Sequence, residues 1–257
     1  MTDPRLESFG RLLKIMDELR EQCPWDKKQT LETLRHLSIE EVYELSDAIL
    51  SGDKQEIKKE LGDVLLHIVF YARIGSETGD FDITSVIDSL CEKLIVRHPH
   101  IYGDVKVKDD EEVKQNWEQI KLREGKGEKT LLSGVPKGLA SLVKAYRMQE
   151  KAAQVGFDWP NVEQVWDKVE EELGEMQSSK TDQEREEEFG DLLFALVNYA
   201  RFTGINPDDA LEKTNRKFKS RFEYIEQQAG AQGRQLTDMS LEEMDAIWNQ
   251  AKKLENK

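Results

Sequence analysis

The 257-residue sequence predicts an all-α protein in which one helical-bundle unit occurs twice in tandem. Three observations predict it. Apolar residues recur at helical spacing along the chain, no stretch alternates apolar and polar residues as a half-buried strand does, and both halves carry the same acidic motifs in the same order. With 52 Asp and Glu against 37 Lys and Arg the formal charge is -15, and 38% hydrophobic with 35% charged residues suits long amphipathic helices better than a disordered chain. That balance argues against unassisted binding to nucleic acid or to an anionic membrane, both of which need a basic face. It favours handling of cations, or of anions bridged by cations. Cys23 and Cys91 make neither a disulfide framework nor a four-ligand zinc site, as expected for a reducing compartment. The opening MTDPRLESFG lacks the apolar core of a signal peptide, and the apolar stretch from Val64 to Ala72 is interrupted by His67 and too short to span a bilayer. A cytoplasmic protein is expected.

Leu12, Leu13, Ile15, Met16 and Leu19 form the apolar stripe of a first helix, which ends near Cys23-Pro24. A second helix reads from about Thr30 to Leu50 and is stopped by Ser51-Gly52. Asp53 caps a third, running to about Ile74 ahead of Gly75 and Gly79. A fourth covers about Ile83 to Val96 and halts before Pro99. The segment REGKGEKTLLSGVPKG (123–138), with four Gly and one Pro, predicts a linker at 126–138 between modules at 1–125 and 139–257. The two halves then correspond. IEEVYEL (39–45) and KKELGDVLLHIVFYAR (58–73) match EEELGEM (170–176) and REEEFGDLLFALVNYAR (185–201). Lys93 and Arg97 parallel Lys217 and Arg221, and Trp117 and Lys121 parallel Trp248 and Lys252.

Each module holds two acidic pairs at i, i+3: Glu41/Glu44 with Glu60/Asp63, then Glu172/Glu175 with Glu188/Asp191. Residues three apart share a helix face, so each pair points two carboxylates one way. A single pair in so acidic a chain is ordinarily a solvated face, as Glu242/Asp245 is read here. Glu188 and Asp191, however, lie among Phe189, Leu192, Leu193, Phe194, Leu196 and Val197, and Glu60 and Asp63 among Leu61, Val64, Leu65, Leu66, Ile68 and Val69. A helix apolar almost all round is a buried one, where carboxylates are costly unless paired or bound to metal. The expectation is a divalent-cation site built from four converging carboxylates per module. Oxygen-only ligands favour Mg²⁺ or Mn²⁺ over zinc or copper. A di-iron bundle requires Glu-x-x-His on two helices. His67 has Ala195 at the corresponding place, so it reads as a satisfied or solvated histidine. Magnesium held by few carboxylates completes its shell with water and substrate phosphate. Lys217/Arg221 and Lys93/Arg97, each four apart on one face, are candidates to meet those phosphates.

The repeated Glu-Glu-x-x-Glu, Glu-x-Gly-Asp and Lys-x-x-x-Arg pattern resembles the tandem-domain MazG nucleoside triphosphate pyrophosphohydrolases. CPWDKKQT (23–30), RHPHIYGD (97–104), GVPKGL (134–139) and VGFDW (155–159) resemble segments of the same family. The resemblance implies an all-α NTP-pyrophosphatase fold, a homodimer, and Mg²⁺-dependent hydrolysis of NTP to NMP and pyrophosphate. It implies that Glu172, Glu175, Glu188 and Asp191 ligate metal in the second module, with Lys217, Arg221, Trp248 and Lys252 on the nucleotide or its phosphates. The first-module counterparts are Glu41, Glu44, Glu60 and Asp63, followed by Lys93, Arg97, Trp117 and Lys121. Glu40 and Glu171 precede each motif as candidates for water activation or metal tuning. KLIVRH departs from KFKSRF, so the second module is favoured as the catalytic one. The implied chemistry needs no protein nucleophile: metal activates water for attack at the α-phosphorus, and cationic side chains offset the charge. The alternative is a nucleotide- and metal-binding regulatory protein without turnover. No stretch of sequence defines a pocket for the base.

Overall fold

A computed structural model describes residues 3–109, 112–113, 116–117, 119–120 and 130–255, and its contacts divide the chain into two units, Met1–Ile120 and Lys121–Lys257. No strand occurs among the described residues, and none of their helices is long and apolar enough to cross a membrane.

In the first unit, α1 (Pro4–Gln22) starts where the Asp3 carboxylate accepts the Arg5 N–H, with Pro4 supplying a preset φ. Its Met16 is buried against α3. Helix α2 (Leu31–Ser51) opens on a reciprocal pair of hydrogen bonds between Thr30 and Thr33 and closes at Gly52, whose φ of 76° requires glycine. Asp53 then caps α3 (Lys54–Thr78) through the N–H groups of Gln55 and Glu56. This helix outruns its expected end at Ile74 by a full turn. Gly75 is no stop signal here: a Cβ on it would meet the Phe81 ring at 2.6 Å, so the glycine makes room for an aromatic side chain inside a continuous helix. Helices α4 (Ile83–Arg97) and α5 (Pro99–Tyr102) follow. The α2–α3 hairpin is the heart of the unit, with Met16, Leu34, Val69 and Phe70 as its dry core.

The second unit begins, among its described residues, with Thr130 and a short turn, Leu131–Gly134, that packs on α6 (Ser141–Gln154). The remainder of the expected linker, 126–129, lies outside the described residues. Helices α7 (Val162–Ser178) and α8 (Asp182–Phe202) form the second hairpin around Val169, Leu192 and Ala195. Helix α9 (Pro207–Ala231) pairs with α10 (Leu241–Glu255) over Ile225, Ala229, Met239 and Ile247.

Burial differs from the sequence expectation at one point. Helices apolar on nearly every side predict helices enclosed on every side, yet α3 leaves Leu61, Leu65 and Ile68 exposed and α8 leaves Phe189, Leu193, Phe194 and Leu196 exposed. Each hairpin buries the seam between its own two helices and presents further apolar surface outward. Surface of this kind on both members of a hairpin is what a helical bundle uses to pack against another.

Candidate functional site

The α2–α3 seam brings Glu41, Glu60 and Asp63 together, and the α7–α8 seam brings Glu172, Glu188 and Asp191 together. Within each trio one carboxylate oxygen per residue lies within 4.8 Å of the others. Glu44 and Glu175 stand outside these tight groups, one turn further along α2 and α7, and are exposed. They still act electrostatically on the trios. Burial first, and then the negative charges of Asp63, Glu44 and Glu60, hold the Glu41 carboxyl above its ordinary range. Burial and then Glu175, Glu172 and Asp191 do the same for Glu188. Each trio thus takes both members of the i, i+3 pair on one helix, Glu60/Asp63 or Glu188/Asp191, and one member of the pair on its neighbour, with Glu44 or Glu175 at longer, coulombic range.

Two lysines that the sequence reading did not single out enter these clusters. Lys59 donates to Glu60 Oε1 at 2.8 Å. Lys168 lies 2.6 Å from Glu172 Oε1 and donates to Glu171 at 2.8 Å, and these contacts raise its pKa. Lys168 precedes Glu171 and Glu172 by three and four residues, a spacing legible in sequence. Glu60 is 3% exposed, and among the described residues its Oε2 has no hydrogen-bond partner. An oxygen-only donor set with one buried carboxylate oxygen unmet fits a hard divalent cation.

His67 takes no part in the tight trio. Ser38 Oγ lies 2.6 Å from His67 Nδ1, 2.7 Å from the Tyr71 hydroxyl and 3.0 Å from the Leu34 carbonyl, so it links the two rings in one hydrogen-bond network. His67 is therefore satisfied, as the sequence suggested, and burial lowers its pKa, partly offset by Asp63. The second unit has Val169, Ala195 and Tyr199 at the corresponding places.

The cationic candidates fall into two clusters. In the second unit the Arg221 guanidinium lies 5.3 Å above the Trp248 ring, and Phe218 packs on the same ring at 5.3 Å. Lys217 is exposed one turn earlier on α9, and Lys252 is exposed one turn after Trp248 on α10. In the first unit Lys93 is exposed on α4, Arg97 is half-buried at its end, and Trp117 meets the His98 ring edge-on at 5.0 Å. His98 stands where the second unit has Phe222, and its Nδ1 donates to the Leu94 carbonyl. Lys121 lies outside the described residues.

A further cavity in the second unit was not foreseen from sequence. It measures ≈ 480 Å³ and is lined by Phe157, Trp159 and Phe194 together with Gln149, Asn198 and Arg201.

Known proteins resemble this chain. A profile described as "MazG nucleotide pyrophosphohydrolase domain" matches residues 29–102. The nucleoside triphosphate pyrophosphohydrolase/pyrophosphatase MazG of Thermotoga maritima is 46% identical over 247 residues, 95% of each chain. The nucleoside triphosphate pyrophosphohydrolase of Escherichia coli K12 is 40% identical over 260 residues, 97% of this chain and 99% of that one. A crystal structure of a mazG-related protein from Thermotoga maritima, 28% identical, aligns with 44% of this chain and 97% of its own at a TM-score of 0.39. With relatives this similar over nearly their whole lengths, the chain belongs to the MazG family.

Proposed function

We propose that this protein is a nucleoside triphosphate pyrophosphohydrolase, a hydrolase of phosphoanhydrides that converts NTP and water to NMP and diphosphate. The carrying observation is the carboxylate trio repeated at the same place in both hairpins, on a chain whose relatives are named for this activity. Glu172, Glu188 and Asp191 hold Mg²⁺ in the second module, with Glu175 beside them, and Glu41, Glu60 and Asp63 with Glu44 do so in the first. Mn²⁺ is the natural substitute for such oxygen ligands. When bound, the metal supplies charge for the phosphates and lowers the pKa of water.

The chain's own groups do the rest. A cluster of formal negative charge repels a polyphosphate, so cationic side chains receive the far end of the substrate: Lys217 and Arg221, with Lys93 and Arg97 as counterparts. The Arg221 guanidinium is seated over the Trp248 ring, and its fork of N–H donors suits it to paired hydrogen bonds with phosphate oxygens. A carboxylate beside the metal accepts the proton leaving water, with Glu171 and Glu40 next to the ligands as the candidates. Lys252 and Trp248 close the nucleotide side, as Trp117 does in the first module, where Lys121 is the counterpart of Lys252 by sequence alone. We favour the second module as the catalytic one, because Phe218 and Arg221 both pack on the Trp248 ring there. Homodimerisation is supported by the apolar faces left open by Leu61, Leu65 and Ile68 on α3 and by Phe189, Leu193 and Leu196 on α8. The role is one of nucleotide-pool housekeeping in the cytoplasm.

The test is product analysis. Purified protein incubated with each NTP and Mg²⁺ should give NMP and pyrophosphate in equal amounts, abolished by EDTA. Glu175→Ala should remove turnover and Glu44→Ala should leave most of it. NDP with phosphate, or no product from any NTP, overturns the reading.

A further inference from the structure

The ≈ 480 Å³ cavity beside α8 lies within the size range of small-molecule sites, about 300–1,000 Å³, and its walls include the aromatic rings of Phe157, Trp159 and Phe194. Its polar groups are few, and their hydrogen-bond roles can be assigned. Gln149, on α6, is 8% exposed, and its Nε2 donates to the Phe194 carbonyl at 2.8 Å. Only the amide nitrogen can donate to a carbonyl, so that bond fixes which end of the side chain is oxygen. Among the described residues the remaining Oε1 is buried without a hydrogen-bond partner. A buried acceptor left unmet costs free energy, which a ligand bringing an N–H removes. Asn198 is oriented in the opposite sense. Its Oδ1 accepts from Arg201 Nε at 3.0 Å and from the second guanidinium nitrogen at 2.9 Å, leaving the amide Nδ2 as donor. Arg201 is itself held by an ion pair to Asp158.

The cavity therefore offers aromatic faces, the Gln149 acceptor and the Asn198 donor, beside the Asp158–Arg201 ion pair. A planar heteroaromatic ring whose edge carries an N–H next to a ring acceptor matches that set, and nucleobases have this edge. The place also suits a base. Asn198 follows Asp191 by seven residues on α8, two turns along the same face, about 10 Å along the axis. That is the order of separation between the phosphate end and the base end of a nucleotide.

We infer that the cavity formed by Gln149, Phe157, Trp159, Phe194 and Asn198 is a nucleobase subsite of the second module. It seats the base of the nucleotide whose phosphates lie at the α7–α8 carboxylates. The inference rests on the proposed activity for the identity of the nucleotide, but base binding can be read without turnover. Phe157 is 82% exposed, so its side chain can be removed with little cost to folding.

The experiment titrates full-length protein in EDTA with adenosine, guanosine, cytidine and uridine, following tryptophan fluorescence, with ribose 5-phosphate as the probe lacking a base. At least one nucleoside should quench saturably and ribose 5-phosphate should not. Trp159→Phe should remove most of the quench. Phe157→Ala should weaken binding about tenfold, the size of one base–aromatic stack. Gln149→Met should weaken adenosine or cytidine more than it weakens their dimethylamino analogues, which have no N–H to give. In the pyrophosphate assay Phe157→Ala should raise KM for NTP with kcat held. No saturable quench by any nucleoside, or a quench unchanged in both Trp159→Phe and Phe157→Ala, overturns the inference. Pyrophosphate release with an unaltered KM in Phe157→Ala overturns it too, and leaves the activity standing. Nucleoside binding without pyrophosphate release keeps the subsite and rejects the activity.

Discussion

Replacing Asp63 by asparagine should change the protein's stability in opposite directions with and without metal. Asp63, Glu41 and Glu60 bring carboxylate oxygens within 4.8 Å of one another. Two unit charges at that distance repel by about 1 kcal/mol in a water-like medium and by about 3.5 kcal/mol at an effective dielectric of 20. Asp63 is half-buried, and Lys59 already offsets part of the Glu60 charge, so the smaller figure applies. Asp63 belongs to two such pairs, which makes Asp63→Asn more stable than wild type in EDTA by about 1–2 kcal/mol. For a chain of this length that is a rise of about 2–8 °C in the melting of the affected unit. Magnesium inverts the order. Wild type should gain about 2.7 kcal/mol at a hundredfold excess over Kd, while the variant, short of one ligand, gains little. Differential scanning calorimetry in EDTA and across a Mg²⁺ series reads both effects. A variant less stable than wild type in EDTA would refute the claim that these carboxylates repel one another. An undiminished Mg²⁺ shift in the variant would refute Asp63 as a ligand.

Three further outcomes are expected. Leu34 is fully buried, so Leu34→Ala should lower unfolding free energy by about 2–5 kcal/mol in urea titration. Arg221→Lys keeps the charge but loses the planar stack on Trp248, which should raise KM for NTP by about threefold to thirtyfold with an unchanged helical circular dichroism spectrum. Glu243 is held down to about 2, from an ordinary 4.5, by Arg234 first and by the Ser240 N–H second. Its stabilisation is therefore complete above pH 4.5 and is lost as the pH falls from there through about 2. Glu243→Gln should flatten that part of the acid unfolding curve, and an unchanged curve would count against the contact.

What could be read in advance follows from where the information lies. The starts of α2 and α3 are legible because Thr30 and Asp53 satisfy N–H groups two or three residues away, and that chemistry is local. The carboxylate motifs are legible because they recur with their neighbours in order. Gly75 misleads because its purpose is to admit Phe81, a contact of tertiary origin. Which three of four carboxylates meet depends on how two helices lie in register, and an i, i+3 pattern on one helix carries no such information. The all-round apolar pattern of α3 and α8 does not distinguish the seam each helix buries from the apolar faces it leaves exposed. The cavity is the least legible feature. Gln149, Phe157 and Asn198 are separated by up to 49 positions, belong to no periodic pattern, and acquire defined donor and acceptor roles only through Phe194 and Arg201.

The polar network at Ser38, His67 and Tyr71 bears on how far the two halves have become separate parts. Both hairpins hold similar acidic trios, but the first locks its helices with directed bonds where the second relies on the fit of Val169 and Ala195. They are no longer exchangeable. Grafting α8 in place of α3 would leave a void the size of an imidazole beside a serine with no histidine to receive. The reverse graft would press a histidine against valine with no oxygen in reach. Any chimera that shuffles these helices has to move Ser38 with His67, and Val169 with Ala195, as matched pairs. The unit of inheritance in each half is thus the hairpin, not the helix.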